Sequence, residues 1–223
     1  MNNLLKILQI CDSLFPVGAF TLSNGLETYV QNGLITTAKG LGEYVDSYIK
    51  ILPFNELGSA FLAYSCKSEE EIIHLDEIYT AVKVPEEIRK GSQKTAKAFF
   101  RISENFLDTD RLKKYGILVS EEKCFGHQSI AFGLYFSDCK VEISDALEIY
   151  AYSIISQIVT NCVKLVPLSQ ISGQKILNEN LKKIPFAVKK SLETKIEDLG
   201  IGGAEFDIRG MEHEKLYSRQ FMS

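Results

Sequence analysis

The stretch SDALEIYAYSIISQIVTNCVKL, residues 144–165, decides the fold class. Leu147, Tyr150, Ala151, Ile154, Ile155, Ile158, Val159, Cys162 and Leu165 recur at three- and four-residue steps, the period of an α-helix. They cover most of the circumference, and such a helix belongs at the centre of a bundle or in a subunit interface. Ser144-Asp145 supplies a cap before it and Pro167 a stop behind it. Glu148, Ser153, Gln157 and Lys164 exclude burial in lipid.

The same period continues in both directions. Toward the C-terminus, Ile171 to Leu181 predicts a helix containing Gly173-Gln174, and Pro185 opens another that Gly200 ends. Toward the N-terminus, Gly126-His127-Gln128 leads into an apolar helix over Ile130–Tyr135. Pro85-Glu86-Glu87 starts a helix on which Lys90, Lys94, Lys97 and Arg101 form one basic ridge. That ridge reads as a solvated face or as a docking strip for an acidic partner. Ile72–Val82 and Leu41–Leu52 carry further stripes, the latter interrupted at Pro53 and resumed by Leu57–Tyr64. Residues 113–126 are mixed and turn-rich, with no firm element. No alternating strand run appears, so the predicted fold is all-α, a single bundle of roughly eight to ten helices.

Two segments fall outside this pattern. Phe15–Glu27, FPVGAFTLSNGLE, packs Pro16, Gly18, Ser23, Asn24 and Gly25 between two helices, and Asn24 with Glu27 approximates a capping pair. Its aromatics Phe15 and Phe20 sit in a loop, so it is either tucked under a neighbour or waiting for a partner. Beyond Gly202-Gly203, residues 204–223 are dense in aromatics and charges and weak in periodicity. Such a tail either orders when a partner arrives or caps its own core. The expected organisation is a helical domain over 1–203 and a partner-binding tail over 204–223.

Composition narrows the function. The chain has 223 residues, 45% hydrophobic and 24% charged, with a formal charge of -4. That suits a globular protein and offers no basic field to nucleic acid or anionic membranes. Five scattered cysteines without C-x-x-C spacing read as free thiols in a reducing cytoplasm. No basic n-region leads into a long apolar core, so no secretory signal is expected.

The chemistry-bearing residues are few. Cys124 and His127 are three apart, Cys66 and His74 eight apart, and His213 stands between Glu212 and Glu214. No histidine pair has i, i+4 spacing, so no preformed nickel or zinc site is expected, although transient contact at Cys124/His127 or His213/Glu214 stays open. A Cys124–His127 thiol–imidazole couple lacks an orienting acid and a glycine oxyanion turn. No phosphate-binding glycine motif occurs. No resident cofactor and no catalytic residue is predicted. That points to binding or assembly.

Four segments resemble the urease accessory protein UreF family: Pro16–Glu27, Gly126-His127-Gln128 with Gly133, Asn161–Gln170 with Gly173-Gln174, and the end Met211-x-His213-Glu214-x-x-Tyr217-Ser218-Arg219-x-Phe221-x-Ser223. Arg89–Gln93 fits more weakly. Gln220 stands where leucine is usual, Asn24 replaces the residue commonly seen before Gly25, and Leu22 offers no ligand where some members have histidine. The resemblance implies an all-α homodimer without a reaction of its own. It would bridge UreD (also called UreH) and the GTPase UreG, assemble on apo-urease and gate nickel delivery, UreG holding the GTP. A nickel-binding metallochaperone using Cys and His ligands is the alternative. The residues so implicated in partner binding are Phe15, Pro16, Gly18, Phe20, Ser23, Gly25, Glu27, His127, Gln170, Gln174, His213, Glu214, Tyr217, Ser218, Arg219, Phe221 and Ser223. Glu148, Tyr152 and Ile155 are the candidates for self-association.

Overall fold

A computed structural model describes residues 3–105, Leu107 and 109–223, with the backbone alone for Phe20. All regular structure among the described residues is helical. The α-helices are α1 Asn3–Cys11, α2 Leu26–Gln31, α3 Ala38–Ile51, α4 Glu56–Ser65, α5 Glu69–Val82, α6 Glu86–Ser103, α7 Asp110–Ser120, α8 Gln128–Asp138, α9 Ile143–Leu165, α10 Gln170–Leu181, α11 Ile184–Ser191 and α12 Ala204–His213. Short 3-10 turns cover Ala19–Thr21, Leu52–Phe54 and Ile196–Asp198. No helix of the described residues is long and apolar enough to cross a membrane.

The axial helix is α8. Its residues Ser129 to Phe136 are all buried, and its most extensive packing is against α4. The reason is Gly133: a methyl there would overlap the backbone carbonyl of Ala60, so the two helices approach at a distance only glycine permits. The aromatic series Phe99, Phe132 and Tyr150 (ring centroids 5.0 and 5.1 Å apart) joins α6, α8 and α9. Helix α9 lies beside this axis and touches α1, α3, α4, α10 and α11. Ile155 is fully buried while Glu148 and Tyr152 remain outside, so α9 has one solvent face despite its composition.

Punctuation set most helix ends. Ser68 Oγ accepts the Glu71 N–H (3.3 Å) ahead of three acidic residues in the first turn of α5. Pro85 stands immediately before α6 and Pro185 sits inside the first turn of α11. Helix α9 begins two residues earlier than a cap at Ser144 suggests, with Glu142 at its N-cap and no side-chain cap bond. Residues 113–126, where sequence shows no firm element, hold most of α7. There Leu112, Tyr115 and Leu118 turn inward while Lys113 and Lys114 face water.

Candidate functional site

The opening loop is bolted to α9 from below. Ser153 Oγ donates to the Cys11 carbonyl (2.6 Å), Gln157 Nε2 to those of Ala19 (2.5 Å) and Leu22 (3.1 Å), and Asn161 Nδ2 to Leu22 (3.0 Å). One hydroxyl and two side-chain amides of α9 thus hold the turn through its backbone carbonyls. Phe15 is half-buried, its ring edge-on to Phe99 at 5.9 Å. Pro16 and Gly18 face solvent. The Phe20 side chain lies outside the described residues.

At its far end the loop meets the tail. Gly25 takes the N-cap of α2 with φ +83, and its backbone sits so close to Gly210 that a Cβ would be 3.1 Å from the Gly210 nitrogen. The Asn24–Glu27 capping pair does not form. Ser23 Oγ accepts the Glu27 N–H (3.4 Å) instead, which frees the Glu27 carboxylate to cross to the tail. Its Oε2 accepts the Phe221 N–H (3.0 Å) and lies 3.2 Å from His213 Nε2. Its Oε1 accepts the Gln220 N–H (2.8 Å) and Gln31 Nε2 (3.2 Å). Nδ1 of His213 lies 2.7 Å from Glu87 Oε2, and Arg219 donates to Glu87 Oε1 (2.5 Å). Two backbone bonds close the strap, Met222 N–H to the Thr21 carbonyl (2.7 Å) and Ser23 N–H to the Ser223 carbonyl (2.5 Å).

The tail is therefore seated on its own domain. Phe206 on α12 is wedged among Tyr29, Tyr44 and Tyr48, with centroids at 6.0, 5.4 and 5.4 Å. His213, Phe221 and Ser223 are buried; Glu214, Ser218 and Arg219 are exposed; Tyr217 is fully exposed. The structure brings together Ser23, Gly25, Glu27, His213, Arg219, Phe221 and Ser223 from opposite ends of the chain. Gln170 and Gln174 lie elsewhere, exposed on α10. Glu87 and Gln31 complete the cluster; sequence showed Glu87 only as a first-turn acid of α6.

His127 lies apart from this junction and is fully buried. Nε2 lies 2.8 Å from Thr80 Oγ1 and Nδ1 3.2 Å from Ser92 Oγ, so hydroxyls occupy both ring nitrogens. Burial, with the charges of Lys83 and Arg89, pushes its pKa down to about 3. Its N–H donates to the Tyr115 hydroxyl (2.8 Å), which donates to Asp76 (2.5 Å), while Asp76 also accepts the N–H groups of Phe125 (2.6 Å) and Gly126 (3.0 Å). This network fixes the entry to α8. Burial pushes the Cys124 thiol up to about 12, with the charges of Asp76 and Glu77 adding to it, so that group is a thiol and not a nucleophile. Among the described residues no three His, Cys, Asp or Glu side chains are grouped to hold a metal ion.

The UreF family model matches residues 35–180. Over 227 aligned positions the chain is 34% identical to urease accessory protein UreF of Bacillus sp. (strain TB-90), and also to that of Actinobacillus pleuropneumoniae serotype 5b (strain L20), with full coverage of each chain. The protein of the same name from Streptococcus salivarius (strain 57.I) is 29% identical over all of this chain and 96% of its own. With both terminal signatures joined in one junction and the likeness running from end to end, this chain belongs to the UreF family.

Proposed function

We infer that this chain serves urease maturation as a non-enzymatic scaffold that bridges UreD (UreH) and the GTPase UreG to apo-urease, gating nickel insertion and regulating the GTPase. One observation carries the reading. The strap that Glu27 and Glu87 hold in place displays Tyr217 and Arg219 outward, the residue types that anchor protein interfaces, on a backbone already ordered. Pre-ordering removes part of the entropy cost of docking. Self-association uses the solvent face of α9, through Glu148 and Tyr152; Ile155 supports that face from the core.

Co-expression with UreD and UreG of the same organism, followed by size-exclusion chromatography, tests it. The wild-type chain is expected to co-elute with both. Tyr217→Ala is expected to lose UreD while its melting temperature holds. Absence of any complex with the wild-type chain would overturn the scaffold reading.

A further inference from the structure

The basic ridge of α6 takes no part in the junction. Lys90 is paired with Glu86, but Lys94, Lys97 and Arg101 have no carboxylate partner among the described residues, and all three are exposed. Their steps of three and four keep them on one face over about 10 Å of helix axis. Like charges so spaced weaken a helix. The chain has 29 acidic against 25 basic residues, yet among the described residues no carboxylate closes on this row. Both ends of the row abut exposed apolar surface. Lys94 Nζ lies 3.6 Å from the sulfur of Met222 on the strap. Past Arg101, Ile102 lines an open groove with Leu8, Leu14 and Pro16, and Leu14 is 88% exposed.

We propose that this face of α6 docks an acidic amphipathic segment of a partner protein, its carboxylates laid along Lys94, Lys97 and Arg101 and its apolar end inserted against Leu8, Leu14 and Ile102. Charge complementarity names the occupant. Three cations in a single file, without a carboxylate partner among the described residues, suit a short row of carboxylates. They are too few for a polyanionic backbone or an anionic bilayer, which recruit larger basic clusters. The proposal deepens the scaffold reading by adding a second surface beside the strap, and it is tested separately.

The decisive variant is Lys97→Glu/Arg101→Glu, with the milder Lys97→Gln/Arg101→Gln beside it and the likewise exposed Lys189→Glu on α11 as a control. Binding of UreD, UreG and apo-urease, one at a time, is measured at 50 and 300 mM salt. For one component the charge reversal is expected to weaken binding at least about tenfold, the glutamine pair less, and the control not at all, with the loss largest at low salt. Equal binding by wild type and charge-reversed protein would overturn the proposal and leave the scaffold reading standing. If no component binds the wild-type chain, the scaffold reading fails. The ridge is then judged with a synthetic 15-residue peptide bearing glutamates at matching steps and a leucine end. Chemical-shift changes confined to α6 and α1 support it; none at millimolar peptide overturns it. Charge-dependent binding to phosphatidylserine vesicles in place of the peptide would also overturn it.

Discussion

Glu27 and His213 lie 186 positions apart and meet at 3.2 Å with both side chains withdrawn from water. Four donors converge on the one carboxylate, two of them backbone N–H groups of the strap. Glu27→Ala leaves the His213 ring and the Phe221 N–H short of an acceptor inside the protein and is expected to cost about 3–5 kcal/mol. The loss should show first in the strap. Hydrogen exchange at the amides of Gln220 and Phe221 checks it, and protection equal to wild type would mean that Glu27 is not the anchor.

Gly133 tests the axis of the bundle. A methyl there meets the Ala60 backbone carbonyl, which cannot swing aside as a side chain would, so Gly133→Ala should destabilise by about 3 kcal/mol or more. Gly116→Ala on α7 is the control. Its methyl would stand 3.5 Å from the Phe100 ring, ordinary contact, and the gain in helix propensity should leave stability equal or up to about 1 kcal/mol higher. Urea midpoints of the two variants should fall on opposite sides of wild type, or the second should coincide with it.

Much of the helical layout was legible because its signals are local. Pro53 divides α3 from α4, Pro85 and Pro185 mark helix starts, and Gly33 follows the end of α2. Helix α7 was not legible, since Lys113, Lys114 and Gly116 dilute a stripe of only Leu112, Tyr115 and Leu118. Sequence also makes α9 the natural axis on hydrophobicity, whereas α8 holds that place. Close approach at Gly133 decides it, and no sequence position states which carbonyl will approach. Both halves of the loop–tail junction stood out as anomalous segments. Their meeting did not, because Glu27 reads as a local capping residue until Gly25 is seen to occupy the cap with a left-handed φ.

The buried ring of His127 gives stability a defined pH dependence. Its pKa falls from an ordinary value near 6.5 to about 3 in the folded protein, so the neutral ring is the folded form. Between those values the unfolded chain binds a proton that the folded chain refuses. Stability from this group is therefore intact above about pH 6.5 and lost as the pH drops, at up to about 1.4 kcal/mol per unit. Between pH 7 and pH 5 the wild type should lose about 2 kcal/mol more than His127→Gln does. Parallel losses in the two proteins would refute the assignment.

Phe206 and Tyr217 separate holding the tail from using it. Phe206 is half-buried among three tyrosine rings, and Phe206→Ala should release α12 and the strap at a cost of about 2 kcal/mol, opening tryptic sites at Arg209 and Arg219. Tyr217 lies wholly in solvent, so Tyr217→Ala should leave both melting temperature and proteolysis pattern unchanged. Both variants should nevertheless weaken UreD binding, one because the strap is no longer presented and the other because its anchor is gone. A loss with Phe206→Ala that comes with new tryptic cuts, set against a loss with Tyr217→Ala that comes with none, would divide the two roles. Full UreD binding by Tyr217→Ala would remove that side chain from the interface.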